Sequence, residues 1–200
     1  MRDESDIVIN GVKCTLVRRG DGCVVLCPPH PLFGGCRHDI RLVRIVERLA
    51  DAGISSLRLD YSKYSGGVSE VEDVLSVISF AVGEFEAVGV LGYSFGAVVS
   101  SNAVARALEN GLDIKAFVAM SILRRVNGLE AILGFRVPKL FIHGRLDFVA
   151  PLSEFEQLFE AASEPKEKFV LDTDHFYGSV INDAAERVYV FFSRYLRDRS

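Results

Sequence analysis

The sequence predicts a three-layer α/β/α sandwich with a mostly parallel central sheet, on the basis of three observations. Short apolar runs alternate along the chain with segments whose apolar residues recur at helical spacing. The run at 23–27 is apolar at every position, which is typical of a strand covered on both faces. Strands that alternate with amphipathic helices form parallel sheets with right-handed crossovers. Because ligands of such sheets bind at the carboxyl ends of the strands, a functional site is expected at that edge.

Length and composition favour one domain, residues 1–200. The chain has 200 residues, of which 49% are hydrophobic and 25% charged, as in ordinary globular domains. Its net charge of −4 disfavours a nucleic-acid surface. The sequence contains no signal-peptide core and no apolar run of membrane length. We therefore expect a cytoplasmic protein without a nucleic-acid or membrane partner, and the oligomeric state stays open.

The four cysteines all fall in the first fifth of the chain and predict buried or partly buried thiols in a reducing compartment. A zinc site built from Cys23, Cys27, His30 and Cys36 is the alternative. It is disfavoured because no C-x-x-C pair is present and because the first two cysteines fall in an apolar strand. The chain also lacks a phosphate-binding loop and a dinucleotide motif, so neither a metal nor a cofactor is expected.

The first third of the chain predicts a hairpin, a buried strand and a helix. Asn10-Gly11 between two β-rich runs predicts a hairpin of strands 7–9 and 12–17. The strand at 23–27 leads into a loop at 28–35, whose prolines and glycines exclude helix and strand. A helix at 38–50 has one apolar stripe, formed by Leu42, Ile45, Val46 and Leu49.

Four arginines lie on the other side of this helix: Arg37, Arg41, Arg44 and Arg48. They are interpreted as a solvated face, with anion binding as the alternative. Gly53 ends the helix, and a strand follows at 55–60. A capping box from Ser69 to Glu72 then predicts the start of the next helix. The later pattern predicts strands at 114–120, 138–143 and 168–172 and helices at 152–162 and 183–197.

A glycine-flanked serine, in Gly92-Tyr93-Ser94-Phe95-Gly96, lies between a predicted strand and a predicted helix that runs to about Glu109. Such a turn holds the serine in a strained conformation, and a Cβ at either glycine would collide with the strand or helix beside it. The turn lifts the hydroxyl above the sheet edge, where the N–H groups of the helix N-terminus point. Ser94 is therefore a candidate nucleophile.

His175 is the candidate base, because it follows the last predicted strand and so lies at the same edge as the serine. His38, at a helix start, and His143, within a strand, fit this role less well. Asp147 follows the preceding strand and is the candidate acid that orients the imidazole. The other carboxylates that remain possible are Asp60, Asp172 and Asp174.

The chain order Ser94, Asp147, His175 resembles that of the α/β-hydrolase superfamily, over nearly the whole chain from about residue 7. The loop His30-Pro31-Leu32-Phe33-Gly34-Gly35 is similar to the oxyanion loop of small, cap-less, dienelactone-hydrolase-like carboxylesterases, which reads H-P-H-P-L-F-G-G. By this resemblance the backbone N–H groups of Leu32 and Phe95 form the oxyanion hole, since Pro31 has no N–H. Pro28 replaces the first histidine of that loop, and serine rather than cysteine at the elbow disfavours dienelactone hydrolase activity itself.

The seventeen residues at 121–137 are too few for a cap domain. The apolar residues of this segment predict either a flap beside the site or the packing of a crossover helix. They are Leu123, Leu129, Ile132, Leu133 and Phe135. An open apolar cleft fits hydrolysis of a small ester or thioester through an acyl-Ser94 intermediate. The alternatives are another reaction of the same triad, such as that of a peptidase or perhydrolase, and a non-catalytic protein that binds acyl groups or a protein partner.

Overall fold

The structure is a computed structural model, and it describes residues 4–197. The first three and the last three residues, and with them both ends of the predicted 1–200 domain, lie outside the described residues. The strands of the described part are β1 (Glu4–Ile9), β2 (Val12–Val17), β3 (Gly22–Cys27), β4 (Ser55–Leu59), β5 (Ala87–Tyr93), β6 (Ile114–Met120), β7 (Arg125–Val126), β8 (Leu129–Glu130), β9 (Lys139–Gly144) and β10 (Lys166–Leu171). Its α-helices are α1 (Ile40–Asp51), α2 (Val68–Glu84), α3 (Phe95–Glu109), α4 (Leu152–Ala161) and α5 (Ile181–Leu196).

Eight of the strands form one sheet in the order β1-β2-β4-β3-β5-β6-β9-β10. The pairs from β4 to β10 are parallel, whereas β1 and β2 add an antiparallel hairpin at one edge. The predicted hairpin is confirmed, and its turn residues Asn10 and Gly11 have φ angles of 49° and 87°. The carboxyl ends of the parallel strands meet at one edge of this sheet, as the sequence predicts.

The helices cover both faces of the sheet, so the predicted three-layer architecture is confirmed. Alternate residues of β3 show the division: Cys23 and Val25 pack with α2, α3 and α4, whereas Val24 and Leu26 pack with α1 and α5. All six residues of β3 are buried. This double burial is the reason that the strand appears in the sequence as an uninterrupted apolar run.

The predicted capping box at the start of α2 is wrong. The helix caps on Gly67, and Glu70 rather than Glu72 reaches back to the cap, with its Oε2 accepting from the Gly67 N–H at 2.9 Å. Oε1 of Glu70 accepts from the N–H of Ser65 at 2.8 Å. Gly66 and Gly67 have φ angles of 76° and 116°, and this glycine turn starts the helix earlier than the serine pattern indicates.

The segment at 121–137 contains no crossover helix, so that alternative is wrong. It forms the small hairpin of β7 and β8 instead. The hairpin is bonded to α3, because Asn102 Nδ2 donates to the Glu130 carbonyl at 2.8 Å and Ser101 Oγ accepts from the Ile132 N–H at 3.1 Å. Leu133 is buried, and the Phe135 ring packs edge-on against a core ring.

The loop at 28–35 includes one turn of 3₁₀ helix, Pro31–Phe33, which the prediction of an irregular loop missed. Proline at the first position of the turn has no N–H to leave unpaired, which suits a helical start. Immediately after this loop, Cys36 is half-buried, whereas the other three cysteines are fully buried. All four thiols are free, as predicted.

Among residues 4–197, no three His, Cys, Asp or Glu side chains are grouped so as to hold a metal ion. None of the helices in this range is long and apolar enough to cross a membrane.

Candidate active site

Ser94 occupies the turn between β5 and α3, with φ 56° and ψ −119°. A non-glycine residue in this conformation costs about 1–3 kcal/mol, which the packing around it must offset. The two flanking glycines make the turn possible. A Cβ on Gly92 would overlap Ser100 Oγ and the Gly96 carbonyl oxygen, and a Cβ on Gly96 would overlap the carbonyl oxygens at the end of β3. The glycine spacing in the sequence is therefore a steric requirement of this turn.

The structure brings the three predicted residues into one hydrogen-bonded line. Ser94 Oγ lies 2.9 Å from His175 Nε2, and His175 Nδ1 lies 2.8 Å from Asp147 Oδ2. All three residues are at most 6% exposed. Because the carboxylate only accepts hydrogen bonds, Nδ1 carries the proton, and Nε2 is free to accept from the serine hydroxyl.

Asp147 lies in the loop after β9 and accepts four hydrogen bonds. Oδ1 accepts from the N–H groups of Val149 at 3.0 Å and Ala150 at 2.8 Å, and Oδ2 accepts from Ser121 Oγ at 2.7 Å as well as from His175. Burial raises the pKa of Asp147, but the hydrogen bonds from His175, Ala150 and Ser121 outweigh it, and the net pKa is lowered. The carboxylate is therefore ionised at neutral pH and able to stabilise an imidazolium.

The other candidate carboxylates form no hydrogen bond with the His175 ring. Asp60 binds Arg37, Asp172 lies 3.8 Å from Arg145, and Asp174 accepts from the N–H of Phe176. Asp147 is the carboxylate that the described structure places on the imidazole.

Ser121 was missed in the sequence as a partner of the acid. It directly follows β6, at the same sheet edge as the other site residues. The residue is fully buried, with φ 43°, and its hydroxyl lies 2.9 Å from the Tyr177 hydroxyl. Tyr177 in turn donates to the Ile142 carbonyl at 3.0 Å. The signal available in the sequence was the position of a hydroxyl residue at a strand end.

His143 is fully buried away from the nucleophile and belongs to the support of the acid loop. Its Nε2 lies 2.9 Å from the Ala150 carbonyl oxygen, and its ring stacks on Phe155 at 4.2 Å between centroids. Burial lowers the pKa of His143, so the ring is neutral. The loop that carries the candidate base is fixed separately. The Tyr93 hydroxyl donates to the His175 backbone carbonyl at 2.7 Å and so connects this loop to the elbow.

A cleft of about 350 Å³ opens beside the serine. It is lined by Pro29, His30, Phe33, Arg41, Tyr93, Ser94, Phe95, Leu123, Val149, His175 and Phe176. A larger groove of about 480 Å³ lies at the opposite edge of the sheet, near the starts of β3 and β5. We place the candidate active site in the smaller cleft because it contains both the serine and the imidazole.

The structure does not bring Leu32 to the cleft in the way that the family resemblance implies. Its N–H donates to His30 Nδ1 at 3.3 Å, and the residue is 64% exposed. The backbone N–H groups of His30 and Phe95, by contrast, have no hydrogen-bond partner among residues 4–197. The His30 ring packs on the Phe95 ring at 4.8 Å, so these two residues are neighbours in the lining of the cleft.

Comparison with known families agrees with this geometry. The family model described as "Serine hydrolase (FSH1)" matches residues 55–177, a stretch that includes Ser94, Asp147 and His175. No curated protein matches the chain.

Solved structures with the same fold cover nearly the whole chain. A lid-less α/β serine hydrolase from Xanthomonas campestris is 17% identical with a TM-score of 0.81, covering 98% of this chain and 97% of its own. An esterase from Pyrococcus furiosus is 18% identical with a TM-score of 0.79, covering 98% and 94%. A dienelactone hydrolase from Anabaena variabilis is 18% identical with a TM-score of 0.76, covering 98% and 99%. The expected α/β-hydrolase fold is confirmed.

Proposed function

The chain belongs to the FSH1 serine hydrolase family, and from this premise we propose that it hydrolyses small carboxylic esters or thioesters through an acyl-Ser94 intermediate. The observation that carries the proposal is the hydrogen-bonded line from Ser94 Oγ through the His175 ring to the Asp147 carboxylate. A serine hydroxyl is a weak nucleophile on its own, and a base in contact with it supplies the activation that acyl transfer needs.

In the proposed reaction Ser94 Oγ attacks the substrate carbonyl carbon while His175 Nε2 takes the hydroxyl proton. The new Oγ–C bond forms, the bond to the leaving oxygen or sulfur breaks, and the imidazolium returns the proton to that leaving group. Water then attacks the acyl carbon while His175 Nε2 takes a proton from it, the Oγ–C bond breaks, and the imidazolium returns the proton to Ser94 Oγ as the acid leaves. Asp147 holds the imidazole by its Nδ1–H and stabilises the positive charge that appears on it.

For the oxyanion hole we propose the backbone N–H groups of Phe95 and His30, with His30 in place of Leu32. The Phe95 N–H is the first of α3, where the helix dipole favours negative charge. The free N–H of His30, and the contact of its ring with Phe95, support this pair. The Leu32 N–H is engaged with the His30 ring and is a poorer donor for a substrate.

The size and chemistry of the cleft favour a small substrate. A volume of about 350 Å³ lies at the lower end of ligand pockets in enzymes, and its lining is mostly aromatic and aliphatic. The segment at 121–137 contributes only Leu123 to the lining, so the cleft remains open to solvent on that side. Short acyl groups can enter without the movement of a cap.

A fluorophosphonate probe tests the proposal. We expect labelling of the wild-type chain at Ser94, its loss in Ser94→Ala and His175→Ala, and its retention in the control His38→Ala. The same proteins are assayed with p-nitrophenyl esters of graded acyl length. Labelling that persists in His175→Ala, or a wild-type rate equal to that of Ser94→Ala at every length, would contradict the proposal.

A further inference from the structure

Arg41 contributes a positive charge to the lining of the cleft, although the sequence pattern favoured a solvated position. The residue lies in the first turn of α1, and its side chain is only 17% exposed. Its guanidinium carbon lies 4.7 Å from the ring centroid of Tyr93, the residue before the nucleophile. It also lies 5.8 Å from the centroid of Phe176, which is the residue beside the base. The guanidinium thus lies near two aromatic rings whose residues are the sequence neighbours of Ser94 and His175.

The guanidinium is anchored on one side and free on the other. Nε donates to Asp39 Oδ1 at 2.8 Å, and one Nη2 hydrogen goes to Asp39 Oδ2. Of the five N–H donors of a guanidinium, three therefore have no partner among residues 4–197. Both oxygens of Asp39 are engaged by Arg41, and Oδ1 also accepts from the Arg41 backbone N–H at 3.0 Å. The ion pair fixes the position of the guanidinium and leaves its outer edge available to a ligand.

The other charged groups near the cleft do not compete for this edge. The Asp147 carboxylate is buried behind His175 and accepts four hydrogen bonds. Asp174 accepts from the Phe176 N–H. Besides Arg41, the cleft is lined by apolar and aromatic residues, Ser94 and two histidines. A fixed cation with free donors in such surroundings matches a carboxylate, which binds a guanidinium by two parallel hydrogen bonds.

We propose that the substrate ester or thioester carries a second, ionised carboxylate, and that this carboxylate pairs with the outer edge of Arg41. The inference rests on the proposed hydrolase function and narrows its substrate class to half-esters of dicarboxylic acids or esters with a carboxylate on the leaving group. The interpretation of the helix arginines as a solvated face is therefore replaced, at Arg41, by the anion-binding alternative.

The test compares anionic and neutral esters of the same length. p-Nitrophenyl half-esters from succinate to suberate are assayed against p-nitrophenyl esters of the corresponding unbranched fatty acids, and 4-carboxyphenyl esters against phenyl esters. The rate of Ser94→Ala is subtracted as background. We expect a higher kcat/KM for one anionic series, and a fall of about 10- to 100-fold in the anionic-to-neutral ratio for Arg41→Gln. If the ratio for the half-esters falls in Arg41→Gln, the carboxylate belongs to the acyl group. If the ratio for the carboxyphenyl esters falls instead, the carboxylate belongs to the leaving group.

Two further proteins keep the test independent of folding. The pair Asp39→Asn with Arg41→Gln removes both charges, keeps a good helix cap and leaves no unpaired carboxylate; it should lose the same preference. Arg44→Gln, half-exposed on the same helix, should keep the wild-type ratio. An equal ratio in the wild type and both Arg41 variants would overturn the inference.

A readout without turnover separates this inference from the proposed function. Free adipate should raise the melting temperature of the wild type and of Arg44→Gln, and should not raise that of Arg41→Gln. Stabilisation by adipate with no hydrolysis of any ester would contradict the proposed function and support the anion site. Ester hydrolysis with no anionic preference and no stabilisation by adipate would support the hydrolase and overturn the anion site.

Discussion

The elbow after β5 contains the nucleophile, and the loop at 28–35 follows the neighbouring strand β3 and lines the same cleft, yet the elbow is buried whereas the loop is half-buried or exposed from Pro29 onward. The elbow is packed on all sides, and its backbone path is set by sterics at Gly92 and Gly96. The loop has one such steric requirement at Gly35, where a Cβ would overlap the Pro29 carbonyl oxygen, but the use of its N–H groups is set by hydrogen bonds around His30, and Phe33 in it is 87% exposed. A steric constraint requires particular residue types, whereas a hydrogen bond to the backbone requires only a neighbour in the right place. The first is visible in a sequence, and the second is not.

Replacement of single amides by esters gives the largest effect and tests the comparison directly. An α-hydroxy acid at position 95, 30 or 32 removes one N–H and keeps the side chain. We expect losses of about 10²- to 10³-fold in kcat at Phe95 and at His30. At Leu32 we expect less than about tenfold, because only its bond to an accessible imidazole is lost. The reverse order of Leu32 and His30 would restore the assignment that the family resemblance implies.

Alanine at a glycine gives the next largest effect, on stability. Gly96→Ala should lower the free energy of unfolding by about 1–3 kcal/mol, because the new methyl overlaps two backbone carbonyl oxygens. Gly83→Ala is the matched control, since its Cβ in α2 meets no atom within 4 Å. That change should raise the free energy of unfolding by about 0.5–1 kcal/mol. Urea denaturation of the two variants measures both changes in the free energy of unfolding. Equal changes in Gly96→Ala and Gly83→Ala would contradict the steric explanation of the elbow.

Much of the fold was predictable because apolar period and turn residues reflect local geometry. The same holds for Ser94, Asp147 and His175, since each follows a strand and the strand ends share an edge. The start of α2 was not predictable from the sequence. Glu70 and Glu72 both fit a capping pattern, and the glycine turn before them decides which of the two caps the helix. The hairpin at 121–137 was not predictable, since its apolar residues suit a helix equally well.

The remaining parts of the site depend on which donors are already used, and this information is absent from a linear pattern. Ser121 contacts the acid only because β6 and β9 pair in one particular register. Arg41 is one of four arginines spaced three or four residues apart, yet its side chain lines the cleft. Asp39 binds its guanidinium close to the Tyr93 ring. The Leu32 N–H is occupied by a ring two residues earlier in the chain.

Ser121→Gly extends the comparison to the acid, with a smaller effect. Glycine accommodates the φ of 43°, so the change removes the hydroxyl bond to Asp147 without backbone strain. We expect kcat to fall about tenfold with KM nearly constant, as for the loss of a hydrogen bond to a charged group. Asn10→Gly, at φ 49° in the remote hairpin, is the control and should keep the wild-type kcat. A fall in stability without a fall in kcat would contradict this role of Ser121.

The smallest expected effect is the pH dependence of the stability that His30, in the loop at 28–35, contributes to the fold. Burial lowers the pKa of His30 from 6.5, so on acidification the unfolded chain takes up this proton before the folded chain does. The contribution of His30 to stability is therefore full above about pH 6.5 and is lost as pH falls through the lowered folded pKa. Protonation also places a hydrogen on Nδ1, which removes the acceptor of the Leu32 N–H.

Denaturation of wild type and His30→Gln at about pH 7.5 and about pH 5.5 measures this contribution. We expect the wild type to lose more free energy of unfolding than the variant, by less than about 1 kcal/mol since the ring is partly solvated. Other histidines respond alike in both proteins, so their contributions cancel in the difference. A smaller loss in the wild type than in His30→Gln would contradict the assigned sign.

The uneven burial of the four thiols has a practical consequence for spectroscopy. Burial raises the pKa of Cys14 to about 12 and raises those of Cys23 and Cys27 further, so these thiols stay protonated and shielded. Cys36 alone is half-buried, one residue after Gly35. A maleimide dye should attach there in the unmutated chain, and its emission would report on movements of the adjoining loop during turnover.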